Sequence, residues 1–230
     1  MNGEYISNMR FADDIILIAK SAVELEDMLS DLGVVCGKIG LTMNANKTKI
    51  MTSDSETRGG VQADGVTVGG VPEYMYLGQT VTIANRANTE IKKRITNGWK
   101  AFWSLKHIFK IRMRITTKTK ILHSNIIPVL TYGAQTWALT KRNVQRLKKT
   151  QLAMLRSILG IKLKDKINNK KIFQKTKSKD IGYTIKKLKY KFAGHLAREG
   201  PRKWGYKLAA WTPYDSKRRR GRPQLAGGTS

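Results

Sequence analysis

Two adjacent carboxylates, Asp13 and Asp14, lie in the run Phe11-Ala12-Asp13-Asp14-Ile15-Ile16-Leu17, with apolar residues on both sides. Neighbouring carboxylates repel each other and resist desolvation, so a tight acidic turn asks for water or a cation. Mg²⁺ takes oxygen ligands, and paired ions of this kind stabilise the attacking and leaving oxygens in phosphoryl transfer. Asp13 and Asp14 are therefore candidate metal ligands in nucleotidyl transfer. A solvated hairpin tip has the same two residues, so the turn alone does not decide between these readings.

The elements that would position the pair follow from periodicity. Tyr5 to Arg10 and Ile15 to Ala19 read as two short strands meeting at the acidic turn. Ser21 to Ile39 reads as a helix: Ser21 and Glu24 form a capping box, Leu25, Met28, Leu29, Leu32, Cys36 and Ile39 share a face, and Gly40 stops it. Lys47 to Met51 looks like a strand. Asp64-Gly65 is a hairpin signal between Val61 and Val66, and Tyr74 to Val81 continues the β structure.

From about Asn88 the period becomes helical, with Ile91, Ile95, Trp99, Phe102, Leu105 and Phe109 on one side. Helices are expected from Thr117 to Trp137, interrupted by Pro128, from Thr140 to Leu159 and from Asp180 to Arg198. The eight lysines between Lys162 and Lys179 read as a mobile linker, and the tail from Thr212 as disordered.

Composition is that of a folded chain: 230 residues, 40% hydrophobic and 26% charged. Cys36 is the single cysteine and there are three histidines, which excludes an internal disulfide and argues against a zinc module. No apolar run has membrane-spanning length and no secretory signal is visible, so an intracellular location, nuclear or cytoplasmic, is expected with no membrane partner. The net charge of +28 is uneven: residues 1 to 90 hold 7 Lys+Arg against 12 Asp+Glu, whereas residues 91 to 230 hold 37 against 4. Such a surplus is relieved by a polyanion, and nucleic acid is the expected partner. Solvated surface or membrane-surface binding would account for charge alone, but here it is spread among aromatics over a long stretch.

Phe11-Ala12-Asp13-Asp14 resembles the Phe/Tyr-Ala-Asp-Asp box of reverse transcriptases, with Ala as in the non-LTR and group II intron branches. Further matches come in family order: Gly40-Leu41-Thr42-Met43-Asn44 with Asn46-Lys47-Thr48 is similar to the next palm motif, and Tyr76-Leu77-Gly78 to the primer grip. Pro128 to Trp137, Leu159-Gly160-Ile161, Gly194-His195 with Arg198, and Gly221-Arg222-Pro223 resemble the C-terminal half of LINE-type open reading frames. The resemblance implies an RNA-directed DNA polymerase using Mg²⁺, dNTPs, an RNA template and a DNA primer or target. It implies Asp13 and Asp14 as metal-binding catalytic residues, Lys47 near the departing pyrophosphate, and Tyr76, Leu77 and Gly78 at the primer end.

The expected architecture is α+β: a partial palm in residues 1–82, a helical thumb-like region in 83–161, a basic helical region in 162–211 and a basic tail in 212–230. Nucleic-acid contacts are expected from Lys92, Lys93, Arg94 and Trp103, and from Lys217, Arg218, Arg219, Arg220 and Arg222, whose Arg-Gly-Arg-Pro core also resembles minor-groove peptides and nuclear localisation signals. The family places a further catalytic aspartate on an upstream strand, and Glu4 is the sole acid before Asp13. The expectation is thus a C-terminal fragment, catalytically silent by itself. A basic binding module with no chemistry, or a decayed pseudogene product with an uncovered apolar sheet, would carry the same motifs.

Overall fold

The computed structural model describes residues 5–44, 46–53, 61–63, 66–82 and 86–211. The chain divides into two compact units, Met1–Arg86 and Ala87–Ser230.

The first unit is α+β and is made of short pieces. Strand β1 (Asn8–Phe11) pairs antiparallel with β2 (Asp14–Leu17), β3 (Val61–Ala63) with β4 (Val66–Val68), and β5 (Glu73–Tyr76) with β6 (Gln79–Thr82). Each pair is its own two-stranded sheet. The segment expected as a strand around Lys47 to Met51 contributes a single parallel bridge, Ile50 to Gly70. The reason is local: the Asn44 carbonyl and side chain accept from the Lys47 amide at 3.1 and 3.2 Å, and the Thr48 hydroxyl donates to that carbonyl at 2.9 Å, curling the chain into a turn.

Helix α1 (Ala22–Lys38) starts where Ser21 accepts from the Glu24 amide at 3.2 Å, while the Glu24 carboxylate reaches back to the Lys20 amide at 2.8 Å. It ends at Gly40, φ 74, with the Leu41 amide donating to the Cys36 carbonyl. Its apolar face packs Leu29 and Leu25 with Ile50, Val68, Leu17 and Met43. That core is small, and Ile15 and Ile18 of the first hairpin remain 39% and 44% exposed.

The second unit is helical: α2 (Arg86–Ser104), α3 (Lys106–Lys110), α4 (Ile115–Ile121), α5 (Ile127–Thr131), α6 (Lys141–Leu159), α7 (Asn169–Thr176), α8 (Ile181–Glu199) and α9 (Trp204–Ala210). Ile91, Phe102 and Phe109 are buried and Ile95, Trp99 and Leu105 pack beside them, as the helical spacing requires. Leu147, Met154, Leu155 and Ile158 of α6 join the same core.

Pro128 interrupts its helix in a specific way. A proline at that place lacks an amide and its ring collides with the carbonyl four residues back. The helix widens into a π turn over Leu122–Ile126 just before it, and the Ile121 carbonyl accepts from the side chains of Ser124 and Asn125 at 3.3 and 3.1 Å.

The lysine-rich segment after Gly160 is not a mobile linker. It holds a 3-10 turn, Leu163–Asp165, and then α7, capped by Asn168. Ile172 is fully buried and Ile167 and Phe173 pack on the core, so three apolar side chains outweigh the flexible composition.

Gly98 lies in the middle of α2 where the helix meets Leu130. An added Cβ would run into the Leu130 Cδ2 atom and sit 2.8 Å from its Cγ, and Leu130 itself is fully buried. Gly98→Ala is therefore expected to destabilise the unit by roughly 1–2 kcal/mol, the overpacking cost exceeding the gain in helix propensity. Urea unfolding checks this, and a rise in stability would show that Leu130 can turn aside.

Candidate functional site

The acidic turn is where the sequence places it. Ala12 and Asp13 form a two-residue link between Phe11 and Asp14, and the Ile18 amide extends the ladder by donating to the Ser7 carbonyl at 2.7 Å. Leu17 anchors the hairpin in the small core. Asp13 and Asp14 are both exposed. Ala12 has φ 52, a left-handed conformation that glycine adopts freely and alanine does not. Backbone strain of this type collects at functional sites. Ala12→Gly is expected to slow amide exchange in β1 and β2, stabilising the hairpin by about 0.5 kcal/mol; faster exchange would mean that the turn relaxes without strain.

The primer-grip segment has the same construction. Leu77 (φ 47) and Gly78 (φ 72) link Tyr76 to Gln79, both in the left-handed region, which is the two-residue turn that suits hairpin twist. Tyr76 is half-buried, while Leu77 and Gly78 are exposed. Lys47 is exposed, and its carbonyl accepts from the Tyr74 hydroxyl at 3.3 Å, which brings the Lys47 turn against the β5–β6 hairpin. Tyr74 was missed from sequence because the contact spans 27 residues and carries no local signal.

Among the described residues no hydrogen bond or ion pair joins Asp13 or Asp14 to Lys47, and no group of three His, Cys, Asp or Glu side chains is placed to hold a metal ion. Two exposed carboxylates suit one largely hydrated Mg²⁺ but supply too few ligands for a pair of ions.

Of the expected nucleic-acid contacts in the second unit, Lys92 is exposed and Lys93 half-buried. Arg94 is a correction. It is 8% exposed, pairs with the 2% exposed Glu90 at 2.6 Å and lies 4.6 Å over the Tyr132 ring. The i,i+4 spacing turns it inward toward Glu90, and its guanidinium serves the packing of the unit. Trp103 is 49% exposed, but it stacks on Trp99 at 5.7 Å, with the Lys106 ammonium 5.1 Å over its ring. Lys217, Arg218, Arg219, Arg220 and Arg222 lie outside the described residues.

His195 is exposed and meets Glu199 at 3.3 Å, a local helix-surface pair. His123 is more constrained: its Nε2 lies 2.8 Å from the Ser178 hydroxyl, which also accepts from buried Gln151 at 3.2 Å. Gln151 donates to the Lys179 carbonyl and accepts from the Ile181 amide, tying α6 to the start of α8. Burial, and then the nearby Lys179 charge, hold the His123 pKa below its usual 6.5. The unfolded chain thus binds a proton more readily than the folded one, and this contribution to stability is complete above pH 6.5 and lost as pH falls below it. Thermal unfolding between pH 7.5 and 5 is expected to show a drop that His123→Gln flattens; an unchanged slope would remove His123 from the account.

The family model for reverse transcriptase (RNA-dependent DNA polymerase) matches residues 4–81, which contain the first two hairpins, α1, the Asp-Asp turn and the third hairpin up to Val81. An uncharacterized transposon-derived protein of Caenorhabditis elegans is 30% identical over 233 residues, spanning 98% of this chain and 84% of that protein. No solved structure matches. The chain belongs to the reverse-transcriptase-related, transposon-derived proteins. Among the described residues no helix is long and apolar enough to cross a membrane.

Proposed function

We propose that this chain is part of an RNA-directed DNA polymerase of a non-LTR, LINE-type element, with residues 1–82 as palm, 83–161 as thumb and 162–211 as a basic extension. In this reading Asp13 and Asp14 would hold one Mg²⁺ of a two-metal nucleotidyl-transfer site whose remaining ligands they do not supply, Lys47 would face the pyrophosphate, and Tyr76, Leu77 and Gly78 would hold the primer. Bound Mg²⁺ would polarise a phosphoryl oxygen and lower the pKa of the attacking hydroxyl. The observation that carries the reading is the strained tight turn at Ala12, which presents both carboxylates to solvent inside the matched family segment.

By itself the chain binds nucleic acid and does not polymerise. What supports this is the excess of 37 Lys and Arg over 4 acids after residue 90 for binding, and for the silence that two carboxylates are too few ligands for a pair of ions. The purified chain with RNA template, DNA primer, dNTPs and Mg²⁺ should give no primer extension, and processive extension free of host polymerase would refute this. The metal role is read separately: Fe²⁺ with ascorbate and peroxide should cleave the backbone beside residues 13–14, and Asp13→Ala with Asp14→Ala should abolish that cut. If cleavage persists, the carboxylates are not ligands.

The decayed-copy reading keeps one observation in its favour, the exposed Ile15 and Ile18. Aggregation of soluble chain that Ile15→Thr and Ile18→Thr relieve would favour it.

A further inference from the structure

Helix α8 has two unlike faces. Ile181 and Ile185 are buried in the helical core, and Leu188 packs beside them. At 100° per residue, the opposite side of the helix carries Tyr183, Lys186, Lys187, Tyr190, Lys191 and Arg198. All six are exposed, and the two phenol rings are 59% and 64% open to solvent. Being seven residues apart they stand on the same side, separated by roughly 10 Å along the axis. The intervening lysines place amines between and beside the rings. The single acid of the helix, Glu199, lies off this strip and engages His195.

We propose that this strip of α8 is a binding site for single-stranded nucleic acid, in which Tyr183 and Tyr190 stack on two unpaired bases while Lys186, Lys187 and Lys191 meet the phosphates. The inference rests on the nucleic-acid partner proposed above and adds a site and a strand preference to it. Aromatic rings exposed among cations are the means by which proteins hold unpaired bases, and every base offers a π-face, so the site is tolerant of sequence. A duplex hides those faces in its stack and would gain from the amines alone. Trp103, the other exposed aromatic on a basic helix, is already stacked on Trp99. A membrane surface fits less well, because interfacial helices insert an apolar face and that of α8 is committed to the core.

The test is fluorescence anisotropy of the full chain with labelled single-stranded 20-mers of DNA and RNA and with the matching duplex. Tyr183→Ala with Tyr190→Ala should weaken binding of both single strands about 30-fold, roughly fivefold per ring, and change duplex binding less than twofold. The corresponding Phe pair should bind within about twofold of the parent, since it keeps the rings. Replacing Lys186, Lys187 and Lys191 with Gln should weaken single strand and duplex together and make the single-strand log affinity against log salt shallower by about 2. Thermal unfolding midpoints of the Ala and Phe pairs check that both variants stay folded. An Ala pair that binds single strands normally, or loses single strand and duplex equally, overturns the strip while leaving the nucleic-acid partner standing. No salt-dependent binding to any of the three overturns both. Binding to phosphatidylserine vesicles that the Ala pair alone abolishes would assign the strip to lipid and overturn it.

Discussion

Glu90→Ala is expected to destabilise the helical unit by roughly 3–5 kcal/mol, the cost of breaking a buried charge pair by removing one member. Glu90 and Arg94 are 2% and 8% exposed and meet at 2.6 Å, one turn apart on α2. The Tyr132 ring below Arg94 offers attraction but no full charge, so it cannot replace the carboxylate. A loss of that size is a large share of the 5–15 kcal/mol that holds a typical domain together. The companion change Glu90→Leu with Arg94→Met should recover most of it, because a pair of apolar side chains carries no desolvation debt. Urea unfolding of the single and double variants gives the numbers. A single-variant loss below about 1 kcal/mol would mean that water reaches Arg94 and that the residue is available to phosphate after all.

Raising salt from about 50 to about 200 mM is expected to weaken duplex DNA binding about a thousandfold, the loss from roughly six phosphate contacts. The charge behind this lies almost wholly after residue 90, where 37 cationic side chains face 4 acidic ones. Those cations are distributed over several helices, so no single Lys→Gln change should alter the slope by more than about one. Anisotropy at five or six salt concentrations yields the slope directly. A flat profile would show that the surplus is solvated and has no polyanion to neutralise it, which would remove the partner on which the functional reading depends.

Much of this was legible in the sequence, and the exceptions share a cause. The Asp-Asp turn, the Ser21 cap, the Gly40 and Gly160 stops and the apolar stripe from Ile91 to Phe109 are signals written within a few neighbouring residues, and each is realised in the structure. Arg94 was placed outward because its charge was weighed alone, although Glu90 four residues before it and the Tyr132 ring both draw it in. The ordered α7 was lost among lysines because composition averages over Ile172 and Phe173, which find their partners on helices far along the chain. Tyr74 on Lys47 and His123 on Ser178 are likewise contacts across 27 and 55 residues, invisible to any local rule. The outward tyrosines of α8 were readable at i,i+7, but only once the buried face of the helix was fixed.

The first unit builds its β structure as three separate pairs of strands. In a lone antiparallel pair, alternate amides of each strand point away from the partner and have no ladder bond to make. Hydrogen–deuterium exchange should therefore read the molecule as two populations. Amides of α2, α6 and α8 should exchange only through concerted opening of the helical core, and those of β1 to β6 through small local fluctuations that cost far less. The carboxylates of the Asp-Asp turn thus sit on the part of the chain that breathes first, so whatever binds there also selects, out of many, the conformations in which the turn is closed.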